Sequence, residues 1–314
     1  MPKYSLPFQF IVSLSPLAEN LPRTQRAGAV FGQFLWTCLP KRRALAQEAV
    51  RVQLDKDPGQ ARRIAYHSFL HTGRSFAEVT ASRNVDHRFM ASRVTIADPT
   101  NFHALTASSR PIVATTGHLG AWELMAGILR WAFQDRRAQI IVKSLKNEAF
   151  QSGLALLRKV GPVEIVHSKN AASQVLPALR QHNGISAFLV DHNTRRSKAL
   201  FLPFLSAPAS VNFGPALIAL RAKALVWPIF LLRNGPGQFI LRSSPALDTT
   251  TLQGTLQDKL KTVVSFYTLS VEHMVRSYPE QWFWMHKRWK SRPKGEKIVD
   301  PRLHKIGREN LFGN

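Results

Sequence analysis

The sequence predicts an α/β fold in which a mostly parallel central sheet is flanked by helices and preceded by a helical N-terminal region. From about residue 110, short apolar runs alternate with helical stretches, the pattern of strands joined by crossover helices. Upstream, residues 40–94 have helical periodicity instead. The predicted strands are Ile112–Thr115, Gln139–Val142, Val163–Val166 and Ile185–Val190, and the helical patterns between them are Trp122–Phe133, Phe150–Val160 and Ala171–Gln181.

The C-terminal half continues the sheet and then ends in a helix. Ala224–Leu231 and Phe239–Ser243 predict two more strands, because the turn sequence Arg233-Asn-Gly-Pro-Gly237 separates two apolar runs. Residues 254–278 predict a long amphipathic helix, which Pro279 ends.

The chain of 314 residues is long enough for one large domain, predicted at 41–293, with an N-terminal segment at 1–40 and a basic tail at 294–314. The N-terminal segment contains two apolar pieces, Phe8–Leu17 and Ala27–Leu39, the second with basic flanks. Each is shorter than the roughly 20 residues of a membrane span. The second piece therefore fits either a membrane-interface segment or the first helix of the core.

Charge is the unusual feature of the composition. Lys and Arg number 43 against 19 acidic residues, which gives a net charge of +24. Such an excess indicates an anionic partner: nucleic acid, anionic lipid or an acidic protein. The lone Cys38 excludes a disulfide framework, and the 11 histidines show no metal-ligand spacing, so no metal or cofactor is expected.

A candidate general base lies at the first strand-to-helix junction. The strand starting at Ile112 meets a turn at Gly117, followed by His118 and, five positions later, Glu123. Five residues of helix turn through about 140°, so the two side chains can meet only if His118 lies on the turn and Glu123 in the first helical turn. A histidine oriented by a carboxylate can activate a hydroxyl. The alternative is an ordinary histidine near a helix start.

Several stretches together resemble the lipid A biosynthesis (lauroyl/myristoyl) acyltransferase family, relatives of the glycerolipid acyltransferases. Gly117-His-Leu-Gly-Ala-Trp-Glu123 resembles the family's His-x4-Asp/Glu motif. The strand ending in Asp191, the stretches Phe201–Ser206, Gly214–Arg221 and Val226–Pro228, and the Trp-rich stretch Pro279–Lys290 are similar to later family segments and occur in the same order.

The resemblance implies a glycerolipid acyltransferase-like fold and an O-acyltransferase activity. A fatty acyl chain would move from acyl carrier protein, or acyl-CoA, to a hydroxyl of a lipid or glycolipid acceptor, most simply a lipid A-type precursor. His118 would be the general base and Glu123 would orient it. Arg158, Asp191, Arg195 and Arg221 would contact substrate. The protein would act at the cytoplasmic face of the inner membrane as a peripheral or monotopic enzyme, with acyl carrier protein and anionic lipid as partners and no nucleic acid.

The sequence departs from the family pattern at several positions. His192 follows Asp191 where relatives have Gln, Ser206 replaces a glycine, and the loop Thr194–Lys198 is unusually basic. These changes leave the acceptor open. The competing hypothesis is a non-catalytic basic protein that binds anionic membrane or nucleic acid. An α/β-hydrolase is excluded, because the chain has no Gly-x-Ser-x-Gly elbow.

Overall fold

The computed structural model of the chain describes residues 19–143, 163–168 and 171–293. The helical pattern predicted at Phe150–Val160 lies outside these residues, as do the first apolar piece and the basic tail.

The N-terminal helical region consists of α1 (Leu21–Cys38), α2 (Pro40–Gln53) and α3 (Pro58–Glu78). The side chain of Asn20 caps α1, and that of Asp57 caps α3. The first and third helices approach so closely that a Cβ at Gly73 would overlap the carbonyl oxygen of Gly28. Small residues at this crossing therefore hold α1 against the rest of the fold.

The two faces of α1 differ in a way that bears on both interpretations of residues 27–39. One face is buried and includes Leu21 and Trp36. The other presents Val30 and Phe34, which are 67% and 59% exposed. The segment is thus a helix of the core that also carries an exposed apolar surface.

The central sheet confirms the predicted mostly parallel α/β architecture. Its strands are β1 (Val94–Ile96), β2 (Ile112–Thr116), β3 (Ala138–Val142), β4 (Glu164–His167), β5 (Ile185–Leu189), β8 (Leu225–Arg233), β9 (Phe239–Ser243) and β10 (Leu247–Asp248). They lie in the order β1-β9-β8-β2-β5-β3-β4, and β10 pairs with β8. All neighbours along this order are parallel except β8 and β9, and β10 is antiparallel to β8.

The remaining helices pack around the sheet. They are α4 (His87–Arg93), α5 (Pro99–Thr106), α6 (Met125–Ala132), α7 (Ala171–His182), α8 (Gly214–Ala222) and α9 (Leu256–Ser277). The helix predicted from Trp122 begins with a 3₁₀ turn, Trp122–Leu124, before α6. The long C-terminal helix carries a capping box between Thr255 and Asp258, and it ends before Pro279 as predicted.

Several features were not predicted, including the two-residue strand β10. The strand β1 has only three residues, too few for a periodic signal. The hairpin of β6 (Ala199–Phe204) and β7 (Ala207–Asn212) pairs Pro203 with Pro208. Proline inside an apolar run argues against a strand, so the pattern concealed this two-stranded sheet.

Candidate active site

The loop after β2 is held in place by its backbone. Gly120 has a φ of +62°, and a Cβ there would overlap the carbonyl oxygen of Leu231 in β8. The N–H of Ala121 donates to that same oxygen at 2.7 Å, and the N–H of Gly120 donates to the carbonyl of Gln281 at 3.1 Å. The loop is therefore fixed between the sheet and the segment after α9.

Strand register places His118 opposite Asp191. The parallel strands β2 and β5 pair Thr116 with Leu189, so the residues two positions beyond each strand end face one another. Nδ1 of His118 lies 2.8 Å from Oδ1 of Asp191, and the backbone N–H of His118 donates to Oδ2 at 2.8 Å. Both contacts lie at the carboxyl edge of the sheet, where open α/β folds bind ligands.

The protonation states of this pair follow from its partners. Burial would raise the pKa of the Asp191 carboxyl, but electrostatic attraction to His118 and the hydrogen bond with His118 hold this pKa well below its usual range. An ionised carboxylate only accepts hydrogen bonds, so Nδ1 of His118 carries its proton. This leaves a lone pair on Nε2 for the proton of a substrate hydroxyl. The His118 side chain is 15% exposed.

The segment after α9 forms hydrogen bonds with both His118 and Asp191. The indole Nε1 of Trp282 donates to Oδ2 of Asp191 at 2.9 Å, and the N–H of Phe283 donates to the carbonyl of His118 at 3.0 Å. Trp282 and Trp284 are buried. The Trp-rich stretch is thus a packed anchor that positions the carboxylate from the far end of the chain.

Two further histidines surround Asp191. The ring centroid of His192 lies 4.4 Å from that of His118. The two ring nitrogens of His286 face the carbonyl oxygens of Phe283 and of Asp191, at 2.6 and 3.1 Å. Whichever of these nitrogens carries the proton therefore donates to a backbone carbonyl next to the site.

A buried ion pair supports the loop from behind. The guanidinium of Arg233 donates to both carboxylate oxygens of Glu78, at 2.9 and 2.5 Å, and to the hydroxyl of Ser75 at 2.7 Å. That hydroxyl donates in turn to the carbonyl of Gly120 at 2.8 Å. Helix α3 and strand β8 are thereby tied to the loop that carries His118.

Two cavities of different character lie near His118, and each is lined by a residue whose ring contacts the ring of His118. A small cavity of about 50 Å³ is lined mostly by apolar side chains at the ends of β2, β3 and β5 and by Trp122. The ring centroids of Trp122 and His118 are 5.5 Å apart. A larger cavity of about 550 Å³ is lined by His192 and Phe283 and by four cations. Those cations are Arg42, Lys143, Lys287 and Lys290.

The structure brings together some of the predicted site residues. His118 and Asp191 are in direct contact, but Asp191, and not Glu123, makes the hydrogen bond at Nδ1 of His118. Glu123 is buried in the wall of the apolar cavity, where it accepts a hydrogen bond from Nε1 of Trp122 at 3.2 Å. Its predicted role toward His118 stays a prediction.

The predicted arginines lie elsewhere. Arg195 is exposed at the start of a 3₁₀ turn, and Arg221 is exposed in the last turn of α8, where its carbonyl accepts from Arg180. Neither is among the residues that line the two cavities at His118. Arg158 lies outside the described residues. Contact of these three with substrate stays a prediction.

Sequence reasoning missed the cations of the larger cavity. Arg42 and Lys143 are separated by about a hundred residues, and no local pattern links them. Lys287 and Lys290 occur in the Trp-rich stretch, where aromatic and basic residues alternate, a pattern typical of a phosphate-binding surface. The same stretch contains Trp282, whose hydrogen bond to Asp191 no pattern could indicate.

The fold and site together define an α/β protein with a carboxylate-oriented histidine at the carboxyl edge of its sheet, between an apolar and a cationic cavity. A model of the family described as bacterial lipid A biosynthesis acyltransferase matches residues 7–291. The chain belongs to this family, which supports acyl transfer to a lipid acceptor. A comparison with curated proteins found no significant match. Within the described residues, no helix combines the length and apolar character that crossing a membrane requires.

Proposed function

We propose that the protein transfers a fatty acyl chain from acyl carrier protein, or acyl-CoA, to a hydroxyl of a lipid A-type precursor. The observation that carries this proposal is the 2.8 Å contact between Nδ1 of His118 and the buried carboxylate of Asp191. It leaves Nε2 as a base, and it stabilises the imidazolium that forms during the reaction.

The reaction balances through His118 alone. Nε2 takes the proton of the acceptor hydroxyl as its oxygen forms a bond to the thioester carbonyl carbon. The tetrahedral intermediate collapses, the carbon–sulfur bond breaks, and Nε2 returns the proton to the departing thiolate. The products are an ester and the free thiol of the carrier, and no metal or further cofactor is needed.

The two cavities support a division of the substrates. The apolar cavity suits the end of the acyl chain next to the thioester, since apolar side chains such as Trp122, Met125 and Leu189 form most of its lining. The larger cavity suits an anionic headgroup, because cations line it. The ring of His118 contacts a residue of each lining, so the hydroxyl and the thioester would meet at its Nε2.

We propose that Glu123 acts from the apolar cavity, which would hold the acyl chain. Its carboxylate anchors the indole of Trp122, whose ring contacts that of His118, so it would help to orient the base and favour its charged form. On this basis, replacing Glu123 with Ala would reduce transfer by roughly 10²–10⁴-fold, the scale of a general-base contribution.

The exposed face of α1 supports monotopic attachment at the cytoplasmic face of the inner membrane. Val30, Phe34 and Leu39 are exposed, and Leu39 also lines the cationic cavity. The apolar face and the cavity mouth are therefore adjacent, as a lipid acceptor drawn from a bilayer requires. The net charge of +24 would favour anionic lipid and an acidic carrier protein alike.

The proposal is tested with purified protein, radiolabelled acyl carrier protein and a total lipid extract from the source cells. A labelled lipid that is formed by the unmutated protein and not by His118→Ala would establish the transfer and identify its acceptor. Full activity in His118→Ala would refute the mechanism. Absence of labelled lipid with both carrier protein and acyl-CoA would favour the non-catalytic binding protein instead.

A further inference from the structure

His192 is the residue of the site that the proposed mechanism leaves without a role. It lines the cationic cavity, and its ring lies against that of the base, His118. Its backbone carbonyl accepts a hydrogen bond from Arg288 at 3.4 Å. Among the hydrogen bonds of the described residues, none involves its ring nitrogens, although the residue is partly buried.

The surroundings of His192 keep its imidazole neutral. Burial lowers its pKa, and the charges of His118, His286 and Lys143 lower it further against the opposing charge of Asp191, to about 3. Arg42, Lys287 and Lys290 line the same cavity as His192 and add positive charge around it. A neutral imidazole has one nitrogen that donates and one that accepts.

Hydrogen-bond acceptors are scarce in this cavity. Arg42, Lys143, Lys287 and Lys290 can only donate. The side-chain oxygen of Asn193 already accepts from the hydroxyl of Ser210 and from the N–H of Ser291. The cations can bind phosphate, but a headgroup that also carries hydroxyls needs an acceptor for their protons. The free ring nitrogen of His192 meets that need.

We propose that His192 contacts the acceptor directly, by accepting a hydrogen bond from a second hydroxyl next to the one that His118 deprotonates. The inference rests on the proposed function and assigns to His192 a part in recognising its polyhydroxylated acceptor. With their ring centroids 4.4 Å apart, His118 and His192 are close enough to contact two hydroxyls of one headgroup. His192 would then select against anionic acceptors that carry a single hydroxyl.

The test measures equilibrium binding in an inactive His118→Ala background, so that it does not depend on turnover. The probes are an under-acylated lipid A precursor and lysophosphatidic acid, an anionic lipid with one free hydroxyl, each in detergent micelles. His192→Phe keeps the ring shape and removes both polar atoms, and His192→Gln restores an acceptor. His273→Phe, on the exposed side of α9, is the matched control.

We expect His192→Phe to weaken binding of the lipid A precursor roughly tenfold, the effect of one hydrogen bond, while binding of lysophosphatidic acid changes less than threefold. His192→Gln should recover most of the loss. Unchanged binding of the precursor in His192→Phe, or an equal loss for both lipids, would overturn the inference. Failure of the unmutated protein to transfer an acyl chain would refute the proposed function and leave this comparison valid.

Discussion

Replacing Asp191 with Asn tests the central contact of the site with little change of shape. Oδ2 of Asp191 accepts from the His118 N–H and from Nε1 of Trp282, and an amide oxygen in that position can accept both bonds. The amide nitrogen must then face Nδ1 of His118. Because an NH₂ group only donates, His118 must place its proton on Nε2 and its lone pair on Nδ1.

The magnitude of the effect follows from this change of tautomer. With a proton on Nε2, the ring cannot take the proton of the acceptor hydroxyl, and the carboxylate that is hydrogen-bonded to Nδ1 and would stabilise an imidazolium is lost. The corresponding substitution in the Ser-His-Asp proteases lowers kcat about 10⁴-fold. We expect Asp191→Asn to lower the rate of acyl transfer by a similar factor, roughly 5.5 kcal/mol of transition-state stabilisation.

The assay follows release of the carrier thiol and formation of labelled lipid at saturating substrate. Asp248→Asn is the control. Asp248 lies on the partly exposed strand β10 and forms an ion pair with Arg110, so this substitution should leave the rate unchanged. The thermal midpoint and near-ultraviolet circular dichroism check that the fold is retained. A rate above one tenth of the unmutated value in Asp191→Asn would refute the role assigned to this carboxylate.

Three further predictions concern the buried network, pH and the cationic cavity. Glu78→Gln leaves the charge of Arg233 buried without its partner and should lower the free energy of unfolding by about 3–5 kcal/mol in urea denaturation; a loss below 1 kcal/mol would contradict this. The pKa of His192 is about 3 in the fold against 6.5 in an unfolded chain, so the unfolded state binds more protons as pH falls below 6.5. The free energy of unfolding should therefore fall by about 2 kcal/mol more between pH 7 and pH 5 in the unmutated protein than in His192→Gln, and parallel profiles would argue against it. Lys290→Met should raise the KM for a phosphorylated acceptor roughly tenfold and the KM for a phosphatase-treated acceptor much less. An equal increase of the two KM values would exclude a contact between Lys290 and phosphate.

The elements that could be predicted are those with a local signal. The strand beginning at Ile112 and the turn at Gly117 are apparent from their residue pattern, and they place His118 at a strand end. The strand before Asp191 is equally clear, so its position at the carboxyl edge of the sheet could also be predicted. The long C-terminal helix is defined by its periodicity and by Pro279.

The partner of His118 could not be predicted in the same way. Local spacing and the resemblance to the His-x4-Asp/Glu motif both indicate Glu123, five positions from His118, whereas Asp191 is 73 residues away. Its contact with His118 depends on β5 lying beside β2, and strand order is a property of the whole sheet. Trp282 reaches the same carboxylate from a further 91 residues along the chain. Long-range contacts of this kind leave no trace in local spacing.

The segment at 279–283 has a consequence for when activity first appears during synthesis. Residue Trp282 supplies one of the hydrogen bonds to Asp191, and its backbone pairs with Leu119 beside the base. A nascent chain that has emerged only through α9 carries His118 and Asp191 but lacks this closing piece. We therefore expect a ribosome-bound chain, or one released by premature termination before residue 282, to lack acyl transfer activity.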